Sequence, residues 1–464
     1  MRALALALAL ASTASAQHAT HALAETGPRH ERINVVVVAE GYPEAELGAF
    51  EAAADRLVEA VFATPPYDRY RAFFNVYTVP VASAEAGAGH PAKGVVRDTY
   101  LRASYGCGGI ERNLCLDIEG ERRLGVVLRE TVPEYDVALV LVNDAQYGGS
   151  GGRVAVVSAH ADAAEIAVHE MGHTLAGLAD EYGGTGHGFH SPNTTTHADH
   201  AHAPWHAWLD DATPLPTPDL DSYSDVVGLF EGAAYADHGA FRPERFCQMR
   251  ALGHRFCRVC HEQHIGAIYD RVSPIGDAWP AEREVTVGGA ALAFGVETLV
   301  PTGQAAYEWT VDGVLVARTP SLSLSAADLP PGTSRVEVRV TDATDEVRDA
   351  DLLPLLSDAR AWTVTRPTAT SAEGSPGGPS GLGVVAPNPV GASAQLSFRL
   401  AQGGAVRLTV LDALGRTVQT VVNGDFGPGL HAVTWAPRGL AAGVYVVRLD
   451  APDATAVRRV TVAR

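Results

Sequence analysis

His169-Glu170-Met171-Gly172-His173-Thr174-Leu175-Ala176-Gly177-Leu178-Ala179-Asp180-Glu181-Tyr182 is the stretch from which the first half of this chain can be read. Residues four apart on an α-helix share a face, so His169 and His173 can turn their rings toward one metal ion with Glu170 beside them. The helix is expected to begin at Asp162, which can cap it with Glu165 at the third helical position. It should bury a stripe of Ala164, Val168, Met171, Leu175 and Leu178. Gly177 supplies the left-handed residue that ends such a helix and turns the chain back. A third metal ligand must come from beyond that turn. Asp180 is the first candidate, with Glu181 and His187 as competitors, since all three are acceptable zinc ligands.

These residue types suit a catalytic zinc. Three protein ligands leave a fourth position to water, whose pKa falls to about 7 on the metal. Glu170 is then the expected general base, taking a proton from that water and later passing it to a leaving amine.

The same string, with residues 32–42 (RINVVVVAEGY), 74–79 (FNVYTV), 147–152 (YGGSGG), 228–235 (GLFEGAAY) and 241–260 (FRPERFCQMRALGHRFCRVC), resembles the IgA-cleaving metalloendopeptidase family of HExxH zincins. The likeness runs over residues 30–270. It implies an α/β zincin-like (metzincin-like) catalytic domain holding one zinc through His169, His173 and Asp180. It also implies Glu170 as catalytic base and a protein or peptide substrate. The pattern departs from that of metzincins, where glycine follows the second histidine by three residues and a third histidine completes the set. Here Gly177 comes one residue later, and aspartate stands at the ligand position. The resemblance implies that Met249, in Cys247-Gln248-Met249-Arg250, is the counterpart of the methionine that lies beneath the metal in metzincins, with plain core packing as the alternative. The family name does not give the substrate, because nothing in these residues encodes an immunoglobulin hinge preference.

Residues 1–16 carry Arg2, an Ala/Leu run and Ala14-Ser15-Ala16, the order of a secretory signal peptide cleaved after Ala16. No later stretch approaches the roughly 20 apolar residues of a membrane span, so no transmembrane segment is expected in the mature chain. With 35 basic and 54 acidic residues the formal charge is −19, which argues against nucleic acid or an anionic membrane as a partner. Five cysteines in an exported chain suggest disulfides with one thiol left over. Cys107 and Cys115 are close enough to pair around a short loop. Cys247, Cys257 and Cys260 form a second group in which only one pair can close. Their Cys-x-x-Cys, with His254, His261 and His264 nearby, also suits a structural zinc, but export favours a disulfide.

The catalytic domain is expected over residues 17–280. Apolar runs at 33–38 and 137–142, with 74–81 and 154–158, read as strands, and helical spacing runs from Glu44 to Val61. In the zincin comparison, 154–158 is the edge along which an extended peptide pairs. Residues 183–208 hold six histidines without periodicity and read as a solvated, partly mobile loop, with a second metal site as the alternative. Residues 148–152 match GxSxG formally. A strand rather than a helix follows, so a glycine turn is the better account.

Beyond residue 281 short alternating segments and the hairpin signal Asp312-Gly313 point to a small immunoglobulin-like β-sandwich over 281–365. A Pro/Gly/Ser-rich linker follows at 366–383. Residues 384–464 resemble the C-terminal sorting domain of type IX secretion cargo, from Ala386-Pro387-Asn388-Pro389 to Gly443-Val444-Tyr445-Val446-Val447. That resemblance implies a second all-β sandwich, the type IX translocon as a partner, and a secreted or cell-surface location. The competing reading is a surface adhesion or glycan-binding protein whose zinc domain is not catalytic.

Overall fold

The computed structural model describes residues 18–367, apart from Arg153 and Gly289, and residues 379–463. The expected signal peptide and most of the expected linker lie outside the described residues. The chain divides into two compact units: Met1–Val272 with Glu346–Asp349, and Ser273–Asp345 with Ala350–Arg464.

The elements of the first unit, in chain order, are β1 (His21–Ala24), β2 (Ile33–Glu40), α1 (Leu47–Val61), β3 (Phe74–Val79), β4 (Ser104–Tyr105), β5 (Leu114–Cys115), α2 (Ile118–Thr131), β6 (Val137–Val142), β7 (Gly149–Ser150), β8 (Ala155–Ser158), α3 (Ala163–Ala176), β9 (Phe230–Ala233), β10 (Ala236–Arg242) and α4 (Arg258–Arg271). A six-stranded sheet runs β1-β3-β2-β6-β8-β7. Its four inner strands are parallel, and β1 and β7 close the edges antiparallel. Every residue of β2 (INVVVVAE) and β6 (VALVLV) is buried. Parallel strands covered on both faces require such continuous apolar runs. One face packs Val36, Val38, Val140 and Val142 against Leu124, Val127 and Leu128 of α2, and α1 and α3 pack together over the other. Each valine or leucine so buried contributes roughly 1.5–3 kcal/mol.

The spacing of apolar residues foretold α1 and α3; α4 is polar without a clear stripe, whereas α2 carries one in Leu124, Val127 and Leu128 that was not read. Asp117 starts α2 by accepting the Gly120 N–H at 2.8 Å, a cap that was there to be read. The edge strand differs from expectation. Residues 148–152 turn back so that β7 pairs with the outer side of β8 through Gly149↔Val157 and Ser150↔Val156. The 154–158 segment is therefore not an edge, and β7 is itself bridged on its outer side through Gly149↔Asn113, where the Gly149 N–H donates to the Arg112 carbonyl at 3.3 Å.

The second unit is all β and begins earlier than residue 281, because Ile275–Trp279 already pairs with Leu292–Thr298. It holds two separate apolar cores. Trp309, Trp362 and Phe294 fill the first, between a three-stranded and a five-stranded sheet. Phe398, Trp435 and Leu408 fill the second, between sheets of three and four strands. No helix among the described residues is long and apolar enough to cross a membrane.

Candidate active site

Helix α3 carries His169 and His173 one turn apart. It ends at Gly177 in the left-handed conformation (φ 62°), where the Leu178 N–H reaches back to the Gly172 carbonyl at 3.0 Å. The returning segment is tied down on both sides. Asn193 accepts the Ala179 N–H and donates to the Ala179 carbonyl, both at 2.8 Å. The Asp180 carbonyl accepts Ala234 N–H at 2.9 Å, and Glu181 N–H donates to the Met249 carbonyl at 2.8 Å. Asp180 is thereby brought under the helix.

Each imidazole has its tautomer set by a backbone carbonyl, which can only accept. His169 Nδ1–H donates to the Gln248 carbonyl at 2.9 Å, and His173 Nδ1–H donates to the Leu178 carbonyl at 2.8 Å. Both Nε2 atoms then face Asp180 Oδ1, at 3.0 Å and 3.5 Å. Histidines that ligate metal are commonly oriented in this way. Burial opposes charge on His173, but its bond to Asp180 outweighs that and holds the ring's pKa up at about 9. Burial would raise the Asp180 carboxyl, yet both imidazoles and Tyr235 hold it far below the usual range. Two imidazole nitrogens and one carboxylate oxygen within 4.8 Å of one another form a donor set that fits a divalent zinc.

Glu170 is buried, its carboxyl pushed upward by desolvation, and its Oε2 has no hydrogen-bond partner in the protein. It stands 3.9 Å from His173 Nε2. These groups open on a cleft of about 780 Å³ whose walls include β7, Gly151, Arg112, Tyr182 and Tyr235.

Of the competing third ligands, Glu181 turns away into a group of buried cysteines and His187 is exposed outside the cleft lining. Met249 is fully buried beneath α3. A Cβ on Gly172 would come within 2.5 Å of its sulfur, so the glycine inside the motif admits the methionine. The expected capping box at Asp162 does not form. Glu165 is used otherwise, accepting Gln248 Nε2–H at 3.0 Å and Gly253 N–H at 3.1 Å, which binds the Met249 turn to the helix.

The cysteines divide unequally. Cys107 and Cys115 are disulfide-bonded, whereas Cys247, Cys257 and Cys260 are free thiols. The disulfide expected within the latter trio is absent, because their sulfurs converge on Glu181 as well as on one another. The 183–208 segment is only partly as expected: His187, His190, His197, His202 and His206 are exposed and His200 partly so, but the stretch is not solvated throughout. Asn193, Thr194 and Thr195 are fully buried, and among the described residues its histidines form no metal-ligating group. Tyr235 was missed outright. Its hydroxyl donates to Asp180 Oδ2 from a residue at φ 62°, and nothing local in the sequence links it to Asp180.

The IgA peptidase M64 family model matches residues 21–223 and 219–268, more than half of the chain and all of the residues just described. The chain belongs to the IgA peptidase M64 family. The members of this family are metallopeptidases. No curated protein matches this M64 peptidase. Among solved structures it is similar to dimeric latent PorU from Porphyromonas gingivalis, at 12% identity and TM-score 0.22, over 41% of this chain and 20% of that one. It is also similar to the fibronectin(III)-like modules of Clostridium thermocellum CbhA, at 13% identity and TM-score 0.15, over 40% of this chain and 91% of that one. The chain thus spans about a fifth of the length of that PorU chain.

Proposed function

We propose that this M64 peptidase is a secreted bacterial zinc metalloendopeptidase with a zincin-like catalytic domain, which hydrolyses peptide bonds in extracellular proteins. The observation that carries the reading is the pair of Nδ1-protonated imidazoles aiming Nε2 at one Asp180 oxygen, beside a buried carboxylate with a free oxygen.

His169, His173 and Asp180 would hold the zinc, and the ion when bound supplies a Lewis acid that acidifies water and polarises the scissile carbonyl. Glu170 takes the proton of the attacking water on its free oxygen and delivers it to the leaving amine nitrogen. Its raised pKa suits a base that must also act as an acid. The Gln248 and Leu178 carbonyls keep the two rings from flipping, and Tyr235 holds the second Asp180 oxygen.

The exported location rests on the signal-peptide pattern of residues 1–16 and on the likeness of 384–464 to type IX sorting domains. The Cys107–Cys115 bond accords with an oxidising compartment. The test is Glu170→Gln in the full chain, assayed on a mixed peptide library. Metal content should be unchanged and kcat should fall by roughly 10²–10⁴. Unchanged hydrolysis in this variant, or wild-type hydrolysis indifferent to chelator, overturns the reading.

A further inference from the structure

The first unit holds a second set of converging donors, and it differs in kind from the one facing the cleft. Cys247, Cys257 and Cys260 are fully buried, and their sulfurs lie with a carboxylate oxygen of fully buried Glu181 within 4.8 Å of one another. Glu181 Oε1 is 3.0 Å from Cys260 Sγ and 3.8 Å from Cys257 Sγ. Ligands at about 2.0–2.3 Å from a tetrahedral zinc stand roughly 3.3–3.8 Å from each other, which is the scale of this cluster.

We propose that Glu181, Cys247, Cys257 and Cys260 bind a structural zinc ion. Unlike the candidate active site, this set is closed, with four protein donors and no position left for water. Thiolate-rich tetrahedral sets select zinc among the common divalent cations. Three features on the page suit a charged thiolate centre better than three inert thiols. Backbone N–H groups of Met249 and Cys257 point at Cys247 Sγ, at 3.4 Å and 3.3 Å, and that of Cys260 points at Cys257 Sγ at 3.3 Å. Cys257 is the N-cap of α4, where the helix dipole favours negative charge. Glu181 Oε2 is buried without any partner, a desolvation cost that thiols, as weak donors, do not offset. The cysteine count agrees, since any disulfide among the three strands one thiol, whereas the metal uses all of them.

The position explains what the ion is for. Glu181 follows Asp180 directly, and Cys247 precedes Gln248 and Met249, the residues that orient His169 and lie under Gly172. The ion ties the returning segment, the methionine turn and the start of α4 together, without touching substrate. The proposal does not rest on the hydrolytic reading.

The deciding material is the full chain carrying His169→Ala and His173→Ala, which leaves the cysteine cluster intact. After purification without chelator, elemental analysis is expected to find one zinc per chain, against two in the wild type. Its X-ray absorption spectrum should be dominated by sulfur at about 2.3 Å. Thiol titration in denaturant with chelator should find three free thiols. A double variant that holds no zinc, or holds iron, or gives only nitrogen and oxygen scatterers, overturns the proposal. So does a single titratable thiol, which would mean a disulfide.

Discussion

Gly151 stands against the groups expected to do the chemistry. An ideal Cβ placed on it would lie 1.6 Å from Glu170 Oε2, 2.8 Å from Glu170 Cδ and 3.1 Å from His173 Cδ2. Non-bonded heavy atoms rest no closer than about 3.5 Å, so Gly151→Ala requires Glu170 Oε2 to retreat by roughly 2 Å. Glu170 can make that movement, because the obstructing atoms are the end of a flexible side chain and Gly151 itself is exposed. The fold should survive, and the cost should appear in the reaction. A misplacement of about 1 Å is worth on the order of 10²-fold in rate, or about 2.7 kcal/mol of activation free energy. The assay is steady-state cleavage of a fluorogenic peptide, together with zinc content and a thermal melt. The expected result is kcat lowered by roughly 10²-fold or more with zinc and melting temperature close to wild type. A kcat equal to that of the wild type would refute the claim that Glu170 must occupy its present place, and with it the role of β7 and Gly151 in framing the cleft.

Tyr235→Phe removes the hydroxyl that holds Asp180 Oδ2 and should weaken zinc affinity or activity by roughly 10–100-fold, read as the chelator concentration that half-inactivates the enzyme. An unchanged chelator titration would mean that Asp180 needs no such support. His264 bears on stability rather than chemistry. It is fully buried against Tyr67, and burial pushes its pKa down to about 3. The unfolded chain protonates this ring near about 6.5 and so binds more protons than the folded one below that pH. Its contribution is therefore complete above about pH 6.5 and drains away as pH falls toward 3, costing about 2 kcal/mol between pH 7 and pH 5. Urea unfolding of wild type and His264→Gln at the two pH values checks this, since the variant should lose that much less on acidification. Parallel acid limbs would count against it.

The first half of the site was legible because its signals are local. Helical spacing brings His169, Glu170 and His173 together whatever surrounds them, and Gly177 marks where the chain must turn. The continuous apolar runs of β2 and β6 likewise announce strands buried on both faces. The capping residues of α3 misled for a physical reason. Glu165 has the right spacing to cap its own helix, but tertiary structure offers it Gln248 and the Gly253 N–H, and those bonds are made in its place.

Periodicity, turn chemistry and the HExxH spacing thus determined which helix bears the imidazoles and that an acidic residue follows them. Only the folded chain sets Asp180, rather than Glu181 or His187, beside the two imidazoles, by anchoring the returning segment through Asn193, Ala234 and Met249. Asn193, Tyr235 and Met249 lie between 13 and 69 residues from Asp180 along the chain, so no local pattern can relate them to it. The same holds for the cysteines, whose pairing depends on where a distant carboxylate comes to rest and not on their own spacing. Local order is written in short-range sterics and hydrogen bonds, whereas a donor set gathered from separate loops exists only once long-range packing has closed them together.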